Sequence, residues 1–169
     1  MNPNTDNFFK KEIDGINEKY KSFILINTIT QRANGLMGLK GSFADKGEGW
    51  DCYSVNDAQK RMKYIGVWAQ ENMVLTNFVK LIHRLSMVFP EKTFVLRPHP
   101  GEDPEFYQTV FSGIKNIHVE KHGSVSPWIM AADLVIQDGC TTAIESFLAG
   151  MPIINYRSIN NDLFESVLP

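Results

Sequence analysis

One stretch of the chain decides its fold: residues 134–145, which read LVIQDGCTTAIE. The three apolar residues at its start are typical of a buried strand, and the polar turn around Gly139 leads directly into a helical pattern that begins at Thr141. A buried strand that runs at once into a helix is the repeating unit of a parallel β-sheet covered by helices. The stretch therefore predicts an α/β fold.

The same unit recurs along the chain. Further strands are predicted at 23–27, 93–96, 117–120 and 152–156, and helices at 58–85, 104–111, 126–132 and 141–149. The long helix has Ser54 or Asn56 available as its cap, and a kink or a division near Met73 is left open. Ser126 is expected to cap the third of these helices. The alternation predicts a Rossmann-like parallel sheet of about five strands with helices on both faces.

The domain organisation follows from the same patterns. Residues 1–22 are interpreted as a polar, weakly helical lead-in, and residues 23–169 as one Rossmann-like domain. Residues 28–53 are rich in glycine, asparagine and aspartate and are expected to form a long loop. Because both ends look like parts of further elements, we expect the chain to be truncated from a longer protein.

The composition limits the classes of function. Hydrophobic residues make up 43% and charged residues 21%, which is globular, and the net charge of −2 argues against a nucleic-acid binder. Cys52 and Cys140 lack the spacing of a zinc site or a disulfide framework, so no metal is expected. No signal-peptide pattern and no run of about 18 apolar residues is present. These features favour a cytoplasmic setting.

The loop that follows Ile136 is the first candidate site, because ligands of open parallel sheets lie beyond the carboxyl ends of the strands. Gly139 lets the backbone approach a ligand closely, and the N–H groups from Cys140 onward, with the hydroxyls of Thr141 and Thr142, suit a phosphate. The alternative is that Thr141 only caps its helix.

Glu145 strengthens the phosphate interpretation. It lies one turn beyond Thr141 on the same helix face, while Ile144, Phe147 and Leu148 are expected to face the sheet. A carboxylate in that position can accept hydrogen bonds from the two hydroxyls of a ribose. The alternative is a carboxylate that only stabilises the start of the helix.

The second candidate is the loop Arg97-Pro98-His99-Pro100-Gly101, which also follows a strand. Prolines on both sides of His99 restrict the backbone, as expected if the imidazole must be aimed. His99 is the candidate catalytic residue or phosphate ligand, and Arg97 is expected to pair with a phosphate or with Glu102. The alternative is a rigid turn with an exposed histidine.

The third candidate is weaker. The polar segment 27–34 follows the first strand and could contribute Asn27, Thr28 and Arg32 to a donor or acceptor pocket, or be a plain loop. Ser126 lies at the same expected edge. The chain has neither a Gly-x-Gly-x-x-Gly pattern nor a P-loop, which disfavours classical dinucleotide and NTPase sites.

Three segments in this order, residues 96–100, 128–136 and 139–152, resemble the C-terminal half of bacterial surface-carbohydrate biosynthesis proteins of the GT-B glycosyltransferase-like group. That group includes Kdo transferases, sialyltransferases and polyglycerol-phosphate transferases of capsule and polysaccharide biosynthesis. The resemblance implies one half of a GT-B fold. It also implies that His99 and Pro100 contact the nucleotide or phosphate, that Thr141 and Thr142 hold phosphate, and that Glu145 holds the ribose.

We therefore expect a donor-binding domain of a glycosyltransferase, inactive when isolated. Its substrate would be a nucleotide-sugar, with a CMP-linked sugar as the candidate implied by several relatives, and no cofactor is expected. A carbohydrate or lipid-linked acceptor would bind through a missing N-terminal domain, and peripheral membrane association of the full-length protein is left open. The alternatives are a sugar-nucleotide epimerase of the same fold and a non-catalytic nucleotide-binding or scaffold module.

Overall fold

The computed structural model of the chain describes residues 8–44 and 53–158. The helices, in chain order, are α1 (Lys10–Tyr20), α2 (Gly38–Ser42), α3 (Ala58–Val88), α4 (Pro104–Val110), α5 (Ser126–Ala131) and α6 (Thr142–Leu148). The strands are β1 (Ile24–Asn27), β2 (Phe94–Arg97), β3 (Ile117–Val119), β4 (Leu134–Gln137) and β5 (Ile153–Asn155). Cys52 and the end of the chain from 159 onward lie outside the described residues.

The five strands form one sheet in the order β3-β2-β1-β4-β5, and every neighbouring pair is parallel. Strands β2 and β3 follow β1 on one side of the sheet, and β4 and β5 lie on the other side of β1. The strand order therefore reverses at β1. In a doubly wound sheet this reversal opens a crevice at the carboxyl ends of the strands, where ligands bind. The predicted α/β, Rossmann-like parallel sheet is confirmed.

Two apolar clusters cover the two faces of the sheet. Ile26, Leu96 and Ile136 pack under α3 and α4, where Phe78 and Tyr107 are buried. Alternate strand residues point to the opposite face. There Leu25, Val95 and Val135 pack with Ile16 and Tyr20 of α1 and with Trp128 and Ile129 of α5. The helix at the end of the lead-in thus shares a cluster with the sheet.

Several local expectations are corrected. The long helix is a single element of 31 residues, and it is capped by Asp57, whose carboxylate accepts hydrogen bonds from the N–H groups of Gln59 and Lys60, so Ser54 and Asn56 do not cap it. The N-cap of α5 is Val125, because Ser126 is already in the helix. The segment after β1 is not wholly a loop, since it contains α2. No described helix is both long and apolar enough to cross a membrane.

The cap of α3 gives a direct test of its start. Replacing Asp57 with alanine removes the acceptor for two backbone N–H groups, so we expect the free energy of unfolding to fall by about 1 kcal/mol. Urea denaturation of the Asp57→Ala and Asn56→Ala proteins measures the difference. A loss of the same size in Asn56→Ala would show that the helix begins earlier than the structure has it.

Candidate functional site

Three polar side chains end the three central strands at the crevice. Arg97, Asn27 and Gln137 are the last residues of β2, β1 and β4, and they are neighbours across the sheet. They lie two residues after Val95, Leu25 and Val135, respectively, and side chains two residues apart in a strand point to the same face. All three therefore point to the face covered by α1 and α5. We call Arg97, Asn27 and Gln137 the polar row.

Asn27 occupies the middle of the polar row, at the point where the strand order reverses. Its side chain is 3% exposed, yet neither Nδ2 nor Oδ1 has a hydrogen-bond partner. A buried amide without partners costs free energy, about 1–3 kcal/mol for a group left unsatisfied. The hydroxyl Oγ1 of Thr142, at the start of α6, is also buried and unpaired. Unsatisfied polar groups therefore occur where this sheet type binds its ligands.

Arg97 is bound to a loop of its own chain. Its Nη1 and Nη2 donate to the carbonyl oxygens of His122 and Gly123 at 2.8 and 2.9 Å, and the guanidinium stacks over Trp128 at 4.9 Å. Burial lowers the pKa of the guanidinium. It does not pair with Glu102, and each terminal nitrogen donates one N–H to a carbonyl oxygen. The expected contact of Arg97 with a phosphate stays a prediction. Arg97 fixes the loop that leads to α5.

The loop after β4 is held by neighbouring amide side chains. The N–H of Cys140 donates to Oε1 of Gln137 at 2.6 Å, and the N–H of Gly139 donates to Oδ1 of Asn155 at 3.3 Å. Gly139 has a φ of +61°, which a glycine adopts without strain. No described residue accepts a hydrogen bond from the N–H of Thr141 or Thr142. These two donors therefore remain available to an anion.

The side chains of the same segment depart from the expectations. Thr141 is the N-cap residue of α6 but makes no side-chain capping bond, so its hydroxyl is not used for capping. The hydroxyl of Thr142 is buried and has no hydrogen-bond partner. Cys140 is a buried free thiol.

The face that α6 turns toward the sheet is opposite to the predicted one. Ile144, Phe147 and Leu148 are 46%, 78% and 75% exposed, whereas Thr142 and Ser146 are buried. The Ser146 hydroxyl donates to the carbonyl oxygen of Thr142 at 2.7 Å, so that hydroxyl is buried with its hydrogen bond made. Small side chains on this face let the helix lie close to the sheet.

Glu145 and Ser126 are brought together although they lie on different helices. The Ser126 hydroxyl at the start of α5 donates to Oε2 of Glu145 at 2.9 Å. Both helices begin at the carboxyl edge of the sheet, and they contact each other. The carboxylate of Glu145 therefore already accepts a hydrogen bond from a hydroxyl group, which is the kind of bond that a ribose would donate.

His99 has a defined tautomer. Its Nδ1 accepts a hydrogen bond from the N–H of Gly101 at 3.1 Å, so in the neutral ring the proton resides on Nε2. The side chain is partly exposed and is flanked by Pro98 and Pro100. The Nε2–H of His99 is therefore available as a donor, while the bond from Gly101 to Nδ1 fixes the orientation of the ring.

Sequence reasoning missed the residue that ties two of these loops together. Glu102 is fully buried, and its carboxylate accepts from the Thr28 hydroxyl at 2.8 Å, the Thr30 N–H at 2.6 Å and the Tyr107 hydroxyl at 2.7 Å. Lys121 donates to its carbonyl oxygen. The burial could not be foreseen, because Thr28 and Thr30 are more than 70 residues away in sequence. Thr28 therefore faces away from the polar row.

Arg32 also lies apart from the polar row. Its backbone N–H and its Nη1 donate to the carboxylate of Glu71 on α3, at 2.8 and 3.2 Å. In residues 8–44 and 53–158, no group of three or more His, Cys, Asp or Glu side chains could hold a metal ion. The expectation of no metal and no cofactor stays a prediction.

Comparison with known proteins shows the fold alone. No protein-family model and no curated protein sequence matches the chain. Among solved structures it is similar to the crystal structure of UDP-GlcNAc 2-epimerase from Neisseria meningitidis bound to UDP-GlcNAc, with 16% identity and a TM-score of 0.50. The alignment covers 89% of this chain and 32% of that one, so the chain spans about a third of that enzyme.

The buried carboxylate network gives a stability prediction. Replacing Glu102 with alanine removes the shared acceptor of three buried donors, of which the Tyr107 hydroxyl keeps only longer contacts with the Thr28 and Thr30 hydroxyls. We therefore expect a loss of at least about 3 kcal/mol in the free energy of unfolding. The control is Glu105→Ala on the exposed surface of α4, which should cost about 0.5 kcal/mol. Urea denaturation compares the two, and equal losses would refute the network.

Asp138 gives a pH prediction. Burial raises the pKa of its carboxyl group, and the charge of Arg157 opposes this only in part. The folded protein then keeps a proton on Asp138 at pH values where the unfolded chain has lost it, so this group's contribution to stability falls as pH rises through that interval. We expect Asp138→Asn, which cannot ionise, to gain in Tm relative to the native protein between pH 4 and pH 7.

Thermal denaturation across that range measures the effect, with Asp14→Asn on the exposed side of α1 as the matched control. A difference in Tm between Asp138→Asn and the native protein that does not change with pH would contradict this interpretation.

Proposed function

We propose that the chain is the nucleotide-sugar-binding part of a glycosyltransferase that acts in surface polysaccharide biosynthesis. The observation that carries the proposal is Asn27, a buried amide with no partner at the strand-order reversal of a doubly wound sheet. A nucleotide bound in the crevice would supply the missing hydrogen bonds. The solved structure that the fold resembles holds UDP-GlcNAc, which supports this class of ligand.

Each group at the crevice has a part in the proposal. The free N–H groups of Thr141 and Thr142 donate to phosphate oxygens, and the Nε2–H of His99 stabilises the negative charge of the departing phosphate. Glu145 exchanges its hydrogen bond from Ser126 for those of the ribose hydroxyls. Arg97 acts as a positioning residue through the loop at His122 and Gly123.

An epimerase is the second candidate, because the structural neighbour is one by name. Such a reaction needs acid and base groups around the sugar. Of the two carboxylates expected at the crevice, Glu145 is engaged by Ser126, and burial raises the pKa of Asp138, which suits proton transfer. A non-catalytic binding module would bind the same nucleotides without turning any over.

Asn27 allows binding and stability to be separated. Replacing it with leucine removes an unsatisfied buried amide, so we expect the Tm of the unliganded protein to rise. The same change should weaken binding of the ligand at least about tenfold, since hydrogen bonds to charged groups contribute about 1.5–3 kcal/mol. Differential scanning calorimetry measures the first effect, and titration calorimetry with CMP, UMP and UDP-GlcNAc measures the second.

Asn17→Leu, on the exposed face of α1, is the control for Asn27→Leu. His99→Ala is compared with His83→Ala, because only His99 lies at the crevice. If the native protein bound none of the three nucleotides, the proposal would be wrong. NMR of UDP-GlcNAc incubated with the protein separates the candidates: appearance of the C2 epimer favours the epimerase, and binding without it favours a transferase or a binding module.

A further inference from the structure

A second recess lies beside the His99 loop, on the side away from the polar row. It is a cavity of about 450 Å³ between the segment after β1, α2 and the start of α3. Gly101, whose N–H holds the imidazole of His99, forms part of its wall. The volume is within the range of small-molecule sites, about 300–1,000 Å³. Nothing in the proposed nucleotide site uses this cavity.

The polar lining of the cavity is neutral overall. Arg32 contributes the charge, and its guanidinium is paired at 3.2 Å with Glu71, which also accepts from its backbone N–H. Gln31 is exposed at the rim, and its amide makes no hydrogen bond to any described residue. An anionic ligand would meet a guanidinium that is already neutralised, whereas a hydroxyl group could bond to the amide of Gln31.

The remaining walls are aromatic and open. Tyr53 and Tyr64 line the cavity, and their rings lie 5.8 Å apart against Phe43, which in turn contacts Trp68. Rings held by several neighbours are fixed surfaces on which the apolar face of a sugar ring can pack. Glycines at 35, 38 and 41 alternate in the opposite wall with the apolar side chains of Leu36 and Met37.

We propose that this cavity binds an uncharged saccharide, as the acceptor of the proposed transfer. The role of the saccharide as acceptor rests on the proposed function, whereas the binding of a saccharide in the cavity does not depend on it. A saccharide seated there lies across Gly101 from His99, so donor and acceptor sites meet at one loop. The described part of the chain would then hold both a donor site and an acceptor site.

The test uses the native protein labelled with ¹⁵N. Methyl glycosides of glucose and of N-acetylglucosamine are added to millimolar concentrations, and the amide shifts of Gly35, Gly38, Gly41 and Gly101 are followed. We expect saturable shifts at these four glycines. Gln31→Leu should weaken the binding about fivefold, in keeping with the loss of one neutral hydrogen bond, while Gln108→Leu, an exposed glutamine on α4, should leave it unchanged.

The outcomes separate the two proposals. Saccharide shifts without nucleotide binding would overturn the proposed function and keep the cavity as a saccharide site. Nucleotide binding without saccharide shifts at the four glycines would overturn this inference alone. Equal shifts with uridine or adenosine would assign the cavity to a nucleobase, and shifts that grow with glycerol 3-phosphate but not with the glycosides would assign it to an anion; either result refutes the proposal.

Discussion

The buried carboxylate of Glu102 is the interaction on which the functional edge depends. It joins the segment after β1 to the loop after β2, through bonds from Thr28 and Thr30. The two segments are further paired by backbone bonds between Leu36 and Gly101 and between Asp103 and Asn34. His99 and the cavity beside it therefore share one rigid frame. The buried carboxylate is stabilised there because it accepts hydrogen bonds from the buried donors around it, and those donors in turn gain an acceptor.

The alternation of side chains along β1 sorts the polar groups into two places. The side chain of Asn27 points to the face covered by α1 and α5 and has no partner, while Thr28 turns to the other face and belongs to the Glu102 network. One residue of difference in the strand thus separates an unpartnered amide from a hydroxyl that is part of a hydrogen-bond network. A protein keeps an unsatisfied amide in such a place at a cost in stability, and that cost is typical of ligand sites.

The loop after β4 is held in its conformation by two amide side chains. Gln137 and Asn155 accept from Cys140 and Gly139, so the loop is held in shape by its neighbours and not by the ligand. The two N–H groups that follow stay free. Preorganised donors of this kind need not be rearranged when negative charge arrives or develops. The proposed phosphate site would therefore consist mainly of backbone groups, which sequence patterns describe poorly.

The sequence by itself determined the class of fold, the order of strands and helices, and the three strand-end loops, because apolar periodicity and glycine or proline signals are local. It also singled out His99, Asn27 and Glu145. The tertiary structure decided what these groups contact: Arg97 is bound by carbonyl groups, α6 exposes Phe147 and Leu148, and Glu102 is buried. Those outcomes depend on contacts between residues that are distant in sequence. The packing of helices on the sheet determines these contacts, and no local sequence pattern predicts them.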